Sequence, residues 1–223
     1  PEKLTAWVRD ECASRIKQGA ASHAVEYLLA ATCAMNGEVE RAHQTLLGLG
    51  EKLAASKRWE PLAAIADRAL HLEETQAAAR LLVKAHEGLK QDPAHIEALE
   101  RAWSIMPDDL ELGLLLAVRL GEAGRGEHRR ALLAELIPKF AAEKRHAGLE
   151  EAALEFAEHG DVDALARLIE TLPVVASQGA AAECFQLLEI AFPVVAGAGR
   201  AAEALEALRV VAAKAVEKGG PNA

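Results

Sequence analysis

Apolar residues recur at three- and four-residue steps along almost the whole chain, and no stretch alternates apolar with polar. The first pattern marks helices with one buried face; the second, which is missing, would mark half-buried strands. The run from Thr75 to Leu120 shows the rule plainly. Ile96, Leu99, Ala102, Trp103 and Met106 form one stripe. Leu110, Leu114 and Val118, with Leu115 and Leu116 beside them, form the next. Asp92-Pro93 and Pro107-Asp108-Asp109 stand before the two stripes. An Asp carboxylate accepts the free amides of a first helical turn, and Pro suits the first helical position, where no amide hydrogen is needed. Helices therefore begin near Pro93 and near Asp108.

The same punctuation yields about a dozen helices in all. The first covers Pro1 to about Lys17, with Leu4, Trp7, Val8, Cys12 and Ile16 on one face, and ends at Gly19. Ser22 caps the second, which carries Val25, Leu28, Leu29 and Cys33 and stops at Asn36-Gly37. A third spans Glu38 to about Ser56, and Gly48 and Gly50 inside it predict a bend or a close neighbour. Helices over 59–72 and 75–90 precede the two already described. An eighth, from Glu127 to about Lys144, contains Pro138, which removes a backbone bond and predicts a kink or break. His146 to His159 is the ninth. Asp161 caps the tenth, which should end at Leu172 because Pro173 follows. The eleventh covers about Ala180 to Val195, with Pro193 inside. The last runs from Arg200 to Lys218 and stops at Gly219-Gly220-Pro221.

Grouped in pairs, the helices start near residues 2, 38, 75, 108, 147 and 177. A helix-pair period of roughly 30 to 39 residues predicts a repeat array, because each hairpin has an apolar face that only a neighbouring hairpin covers. The expected fold is all-α: an α-solenoid of about six antiparallel helix pairs in one domain over residues 1–223.

Several positions carry a family likeness. Leu29, Ala30, Gly37, Ala42 and Leu46 follow one another in the order large, small, turn, small, large. Ile65, Ala66, Ala69, Ala78, Leu82 and Ala85 do so again. Leu99, Ala102 and Pro107 close a unit, and Ala191, Gly199, Ala204 and Leu208 recur near the C-terminus. In this the chain resembles the tetratricopeptide repeat family. The resemblance implies a right-handed solenoid and a protein partner held on its surface. The early matches pair even helices with odd ones and the later matches odd with even. A fainter likeness joins Met106 to Leu120 and Glu143 to Asp161 to the N-terminal helical extension of some bacterial Gre-type transcript cleavage factors. That likeness would imply RNA polymerase as partner, and it carries over no catalytic residue.

The net charge of −9 narrows the partners. A nucleic-acid binder carries a basic stripe that replaces phosphate counterions. Here the basic clusters are the short pairs Lys57-Arg58, Arg129-Arg130 and Lys144-Arg145, so a protein partner with basic patches is expected and direct nucleic-acid contact is not. Cys12, Cys33 and Cys184 are far apart in apolar helical contexts and read as reduced core thiols of a cytoplasmic protein. No apolar run reaches the roughly 18 residues of a membrane span. The opening Pro1 in place of Met suggests a piece of a longer protein.

Candidate chemistry is sparse. No two His stand one helical turn apart as zinc ligands would. Asp67 with His71, His71 with Glu74, and Glu155 with His159 read as surface helix pairs. Cys184 has no local base, and Asp108-Asp109 reads as a helix cap. No cofactor or metal is expected, and the reading is a non-catalytic interaction scaffold. Trp and Tyr dominate interface hot spots. Trp7 and Trp103 lie in apolar stripes and are expected in the core. Trp59, at a helix start, and Tyr27, on a mixed face, are the candidate partner-binding residues. The last helix has a narrow polar stripe of Glu203, Glu206, Lys214 and Glu217 and a wide apolar arc, which predicts further chain or another molecule against it.

Overall fold

The computed structural model describes residues 2–19, 22–90 and 92–218, apart from the side chains of Glu2, Asp92 and Lys218. Among the described residues every regular element is an α-helix. Internal contacts fall into two compact units, Pro1–Leu112 and Gly113–Ala223. The first holds α1 (Glu2–Lys17), α2 (His23–Met35), α3 (Val39–Ala55), α4 (Trp59–Leu72), α5 (Gln76–Leu89) and α6 (Asp92–Ile105). The boundary lies inside α7 (Leu110–Glu122). The second unit continues with α8 (Gly126–Ala142), α9 (His146–His159), α10 (Val162–Ser177), α11 (Ala181–Gly197) and α12 (Ala201–Lys218).

Within each unit the helices pack in chain order. In the first unit every helix from α1 to α6 lies on the next, and α3 also meets α5. In the second, α8 to α12 do the same, with α8 against α10, α10 against α12, and α9 against α11. This ladder of next and next-but-one contacts is how stacked hairpins bury their faces. The faces are built largely from alanine and leucine. Ala42, Ala66, Ala69, Ala78 and Ala85 in the first unit and Ala152, Ala153 and Ala191 in the second are fully covered. Small side chains let helix axes approach closely, and the leucines between them fill the remaining space.

The turns share one design. The amide of Gly37 donates to the Ala34 carbonyl and that of Glu38 to the Cys33 carbonyl. Lys57 and Arg58, Gly124 and Arg125, Gly160 and Asp161, and Gly199 and Arg200 repeat this pair of bonds at the ends of α3, α7, α9 and α11, and at the end of α8 the Arg145 amide donates to the Phe140 carbonyl. It is the Schellman arrangement, in which a left-handed residue lets two amides reach back to carbonyls of the last turn. The residue after the left-handed one is followed at once by the next helix, so the chain reverses in very few residues. The carbonyl that receives the longer bond belongs each time to a buried apolar residue: Cys33, Leu53, Leu120, Phe140, Phe156 or Val195. Each turn is thereby tied to the core.

His43 fastens three helices at once. Its Nδ1–H donates to the Ala69 carbonyl of α4 at 3.1 Å, and its Nε2 lies 3.0 Å from the Thr75 hydroxyl. That hydroxyl donates to Nε2 and accepts the Ala78 amide of α5 at 3.3 Å. The pattern is self-consistent for a neutral imidazole protonated on Nδ1. At the first hairpin, Arg9 and then Arg41 hold the Glu38 carboxyl below the usual carboxylate range.

Several sequence expectations change. Pro138, Pro173 and Pro193 neither break nor end their helices, and α10 continues to Ser177. Each stands two residues before a buried apolar side chain, Phe140, Val175 or Val195, whose burial keeps the last turn helical despite one lost bond. Trp7 is exposed rather than in the core, as is Leu4. Val8, Cys12 and Ile16, the rest of the expected face, do pack with Leu29 and Cys33 of α2. On α7 the buried stripe is Leu112, Leu116 and Leu120, and Val118 faces solvent. Trp103 is half-buried. Ser22, Asp109 and Asp161 cap as expected, accepting the amides of Val25, Leu112 and Ala164. The Asp92 cap and the Gly219-Gly220-Pro221 stop lie outside the described residues. On α12, Ala204, Ala207 and Val211 are covered while Leu205, Leu208 and Val216 are exposed.

The turn design makes a prediction. Lys57 and Lys144 hold φ of 54° and 59° where Gly stands in the equivalent turns, and a side chain there costs about 1–2 kcal/mol. Lys144→Gly should stabilise the chain by about 0.5–1 kcal/mol once glycine's extra unfolded-state entropy is subtracted. Urea unfolding checks this, with Gly160→Ala expected to move the midpoint the other way.

Candidate binding site on the first unit

Helices α4 and α6 stand on either side of α5, and a cavity of about 390 Å³ opens between them. Its walls are Ala63 and Ala64 of α4 and Ala94 and Ala98 of α6. Leu82 and His86, one helical turn apart on α5, make its floor. Asp67, Glu97 and Arg101 edge it. Arg101 donates to Asp67 at 2.9 Å and so ties the two walls together, while His71 stands 3.3 Å from the same carboxylate. The volume falls in the range of small-ligand pockets.

His86 Nδ1 has no hydrogen-bond partner among the described residues and almost no accessible surface, so it does not face the open cavity. A buried polar group left unpaired costs about 1–3 kcal/mol.

The candidate residues Trp59 and Tyr27 take different positions. Trp59, Ala63 and Asp67 follow at four-residue steps on one side of α4, so Trp59 lies one turn before the cavity wall. Its indole lies against the α5 backbone at Gly88, where a Cβ would come within 2.3 to 2.7 Å of the ring. Trp59 is therefore half-buried by its own unit. Tyr27 is exposed, 46% accessible, with Leu28 beside it at 45%. It stands one turn after His23, whose Nδ1 accepts from Arg58 at the start of α4 at 3.2 Å. Two links join these helices: Arg58, at the start of α4, reaches His23 of α2, and Arg101 of α6 reaches Asp67 of α4.

His86 and Arg101 did not stand out in the sequence. Asp67 stood out only as a surface partner of His71. The available signal was the recurrence of Ala at 63, 64, 94 and 98 on two helices flanking a third.

The second unit has a smaller cleft of about 110 Å³ between α9 and α11, lined by His146, Glu150 and Glu183 among others. His146 Nδ1 lies 3.8 Å from Glu183. Cys184, next in sequence, is buried; its thiol donates to the Leu172 carbonyl at 3.4 Å. Burial, with Glu183 adding to it, pushes that thiol up to about 11, so it is a packed and unreactive group. Cys12 and Cys33 are buried and unpaired too. Among the described residues no helix is long and apolar enough to cross a membrane.

No family model matches the chain, and no curated protein matches it. Solved structures do. One is a Podosopora anserina protein described as a kinesin light chain with nearly identical TPR-like repeats: 17% identity, 78% of this chain and 95% of that chain covered, TM-score 0.37. A second is YrrB, a TPR protein with an unusual peptide-binding site: 15% identity, 89% and 97% covered, TM-score 0.38. A third is BtubC (BKLC) from P. vanneervenii: 13% identity, 100% and 93% covered, TM-score 0.36. The first two are described as TPR-like or TPR proteins, and the similarity is low enough that the fold stands here on the chain's own helix order and packing.

The Trp59–Gly88 contact gives a direct test. In a Trp7→Phe/Trp103→Phe background, Gly88→Ala should push the indole off α5 and red-shift its emission. Gly48→Ala, where nothing lies within 4 Å, should leave the emission unchanged and raise stability by about 0.5–1 kcal/mol.

Proposed function

We propose that the chain is an interaction scaffold, and that the face formed by α2, α4 and α6 holds an extended segment of a protein partner. The observation that carries this reading is the alanine-walled cavity between α4 and α6. The walls are short side chains on rigid helices, so the opening is preformed, and preorganisation lowers the entropic cost of binding. Tyr27 offers an exposed aromatic on α2, which Arg58 links to the start of α4. A segment crossing α2 and α4 toward α6 would rest on Tyr27 and insert a side chain into the cavity. The net charge of −9 and the two carboxylates at the opening against one guanidinium favour basic residues in that segment.

Selection of a displayed random peptide library on the purified chain tests this. Basic sequences with a recurring apolar or aromatic position are expected. Ala63→Trp, which fills the cavity, should weaken the selected peptides by roughly 100-fold or more, and Tyr27→Ala by about 5- to 30-fold. Leu154→Ala, on an exposed part of the second unit, should change nothing. Peptides that bind equally well to the cavity-filled variant would refute the assignment.

A further inference from the structure

Helix α2 is turned inside out. Its acidic residue and its threonine point into the unit: Glu26 is buried and pairs with Lys52 of α3, and the Thr32 hydroxyl turns back on the Leu28 and Leu29 carbonyls at 2.9 Å. Its outward stripe holds no charge. Ala24, Leu28 and Met35 are exposed, Met35 by 73%, and Ala31 between them is half-buried. A helix face left to water is normally polar, so this one is suited to being covered.

The order of side chains says by what. Positions 24, 28, 31 and 35 stand four, three and four residues apart, which is the seam spacing of a coiled coil. Along the seam small and large alternate: Ala, Leu, Ala, Met. When an identical stripe is turned end for end about an axis halfway along, Ala24 meets the second copy's Met35 and Leu28 meets its Ala31. Each large side chain then faces a small one at every step, and the helix axes can come within about 8–10 Å. An in-register parallel pairing has no such match, since it sets leucine on leucine and alanine on alanine. Leu4 of α1 extends the apolar surface at the Met35 end, where the Thr5 hydroxyl donates to Asn36 Oδ1 at 2.9 Å and holds the start of α1 beside the end of α2. Helix α1 carries charges of both signs, Arg9 paired with Asp10 and Arg15 with Glu11, so no field of one sign repels a second copy there.

We infer that α2 is a self-association surface. A second copy of this chain docks on it, with the two α2 helices antiparallel about a two-fold axis, Ala24 on the second copy's Met35 and Leu28 on its Ala31. Such a contact uses the same patch on both copies and closes as a dimer. The seam is about three turns long. That is at the small end of specific interfaces, so the dimer is weak, with a Kd on the order of 10–100 µM. Tyr27 flanks the four seam positions without being one of them. The inference goes beyond the docking role given to the α4–α6 cavity and does not depend on it.

Sedimentation velocity on the full chain, from about 1 to 500 µM to span that Kd, tests the association. The sedimentation coefficient should rise with concentration. Leu28→Glu, which places a carboxylate in the seam from a position already exposed, should weaken the dimer by about 100-fold or more. Ala31→Leu should weaken it by about tenfold although it makes the face more apolar, and Leu28→Ala/Ala31→Leu, which exchanges large and small, should restore it. Disulfide trapping reads the orientation, since the chain's own cysteines are buried. Ala24→Cys and Met35→Cys should cross-link when the two variants are mixed and far less when either is oxidised alone. That cysteine pair decides the matter even where an Ala31 variant fails to fold. A chain that stays monomeric over the whole range, leaving the stripe to a different molecule, would overturn the inference. So would stronger association in Ala31→Leu, a dimer indifferent to Leu28→Glu, or single cysteine variants that cross-link as readily as the mixture.

Discussion

A single residue in the left-handed conformation, placed between two helices, is the constraint on which the rest of the structure depends. At Gly37, Lys57, Gly124, Gly160 and Gly199 the backbone reverses at once, with two amides returned to the helix just ended, and after Lys144 the Arg145 amide returns to Phe140. The next helix must then run back along the last one, and the apolar stripes of the two meet without a search. Because the longer of the two bonds ends on the carbonyl of a buried residue, the turn cannot open without disturbing the core. Local geometry and packing therefore favour the same arrangement, which is what a well-specified fold requires.

Alanine decides what this arrangement can be used for. Covered alanines draw neighbouring helices close along both units. Where alanines on two helices face each other across a third and no larger side chain fills the space, the same small residues leave an opening. That is the situation of Ala63, Ala64, Ala94 and Ala98 above α5. One residue type thus makes both the tight stack and its gap. The difference lies in whether a leucine reaches in, and at that point Leu82 stops at the floor and His86 takes the next turn.

Much of this was legible in the residues. The three- to four-residue spacing gave the helices, and Ser22, Gly37 and Asp161 gave ends that the structure keeps. Pro138 and Pro173 misled, because their local cost is visible in a sequence and the burial that offsets it, at Phe140 and Val175, is not. On α1 Leu4 and Trp7, and on α7 Val118, were placed inward and are exposed, since a wide apolar arc does not say which part of it meets a neighbour. A clearer signal lay unread. Cys33-Ala34, Leu53-Ala54, Phe140-Ala141, Phe156-Ala157, Val175-Ala176 and Val195-Ala196 are each followed, three residues after the alanine, by Gly or Lys, and these mark the turns. The cavity could not be read, because Ala63, Ala64, Ala94 and Ala98 line one opening only once α4 and α6 have folded beside α5.

The most direct test of the account is native-state hydrogen exchange on a Leu62→Ala variant. Leu62 is buried in α4, which lies against α3 and α5. If hairpins owe their stability to the neighbours they touch, protection should fall most in α3, α4 and α5, with a smaller loss in α1. An equal loss through all helices from α1 to α6 would contradict it, since that is how a single undivided core responds.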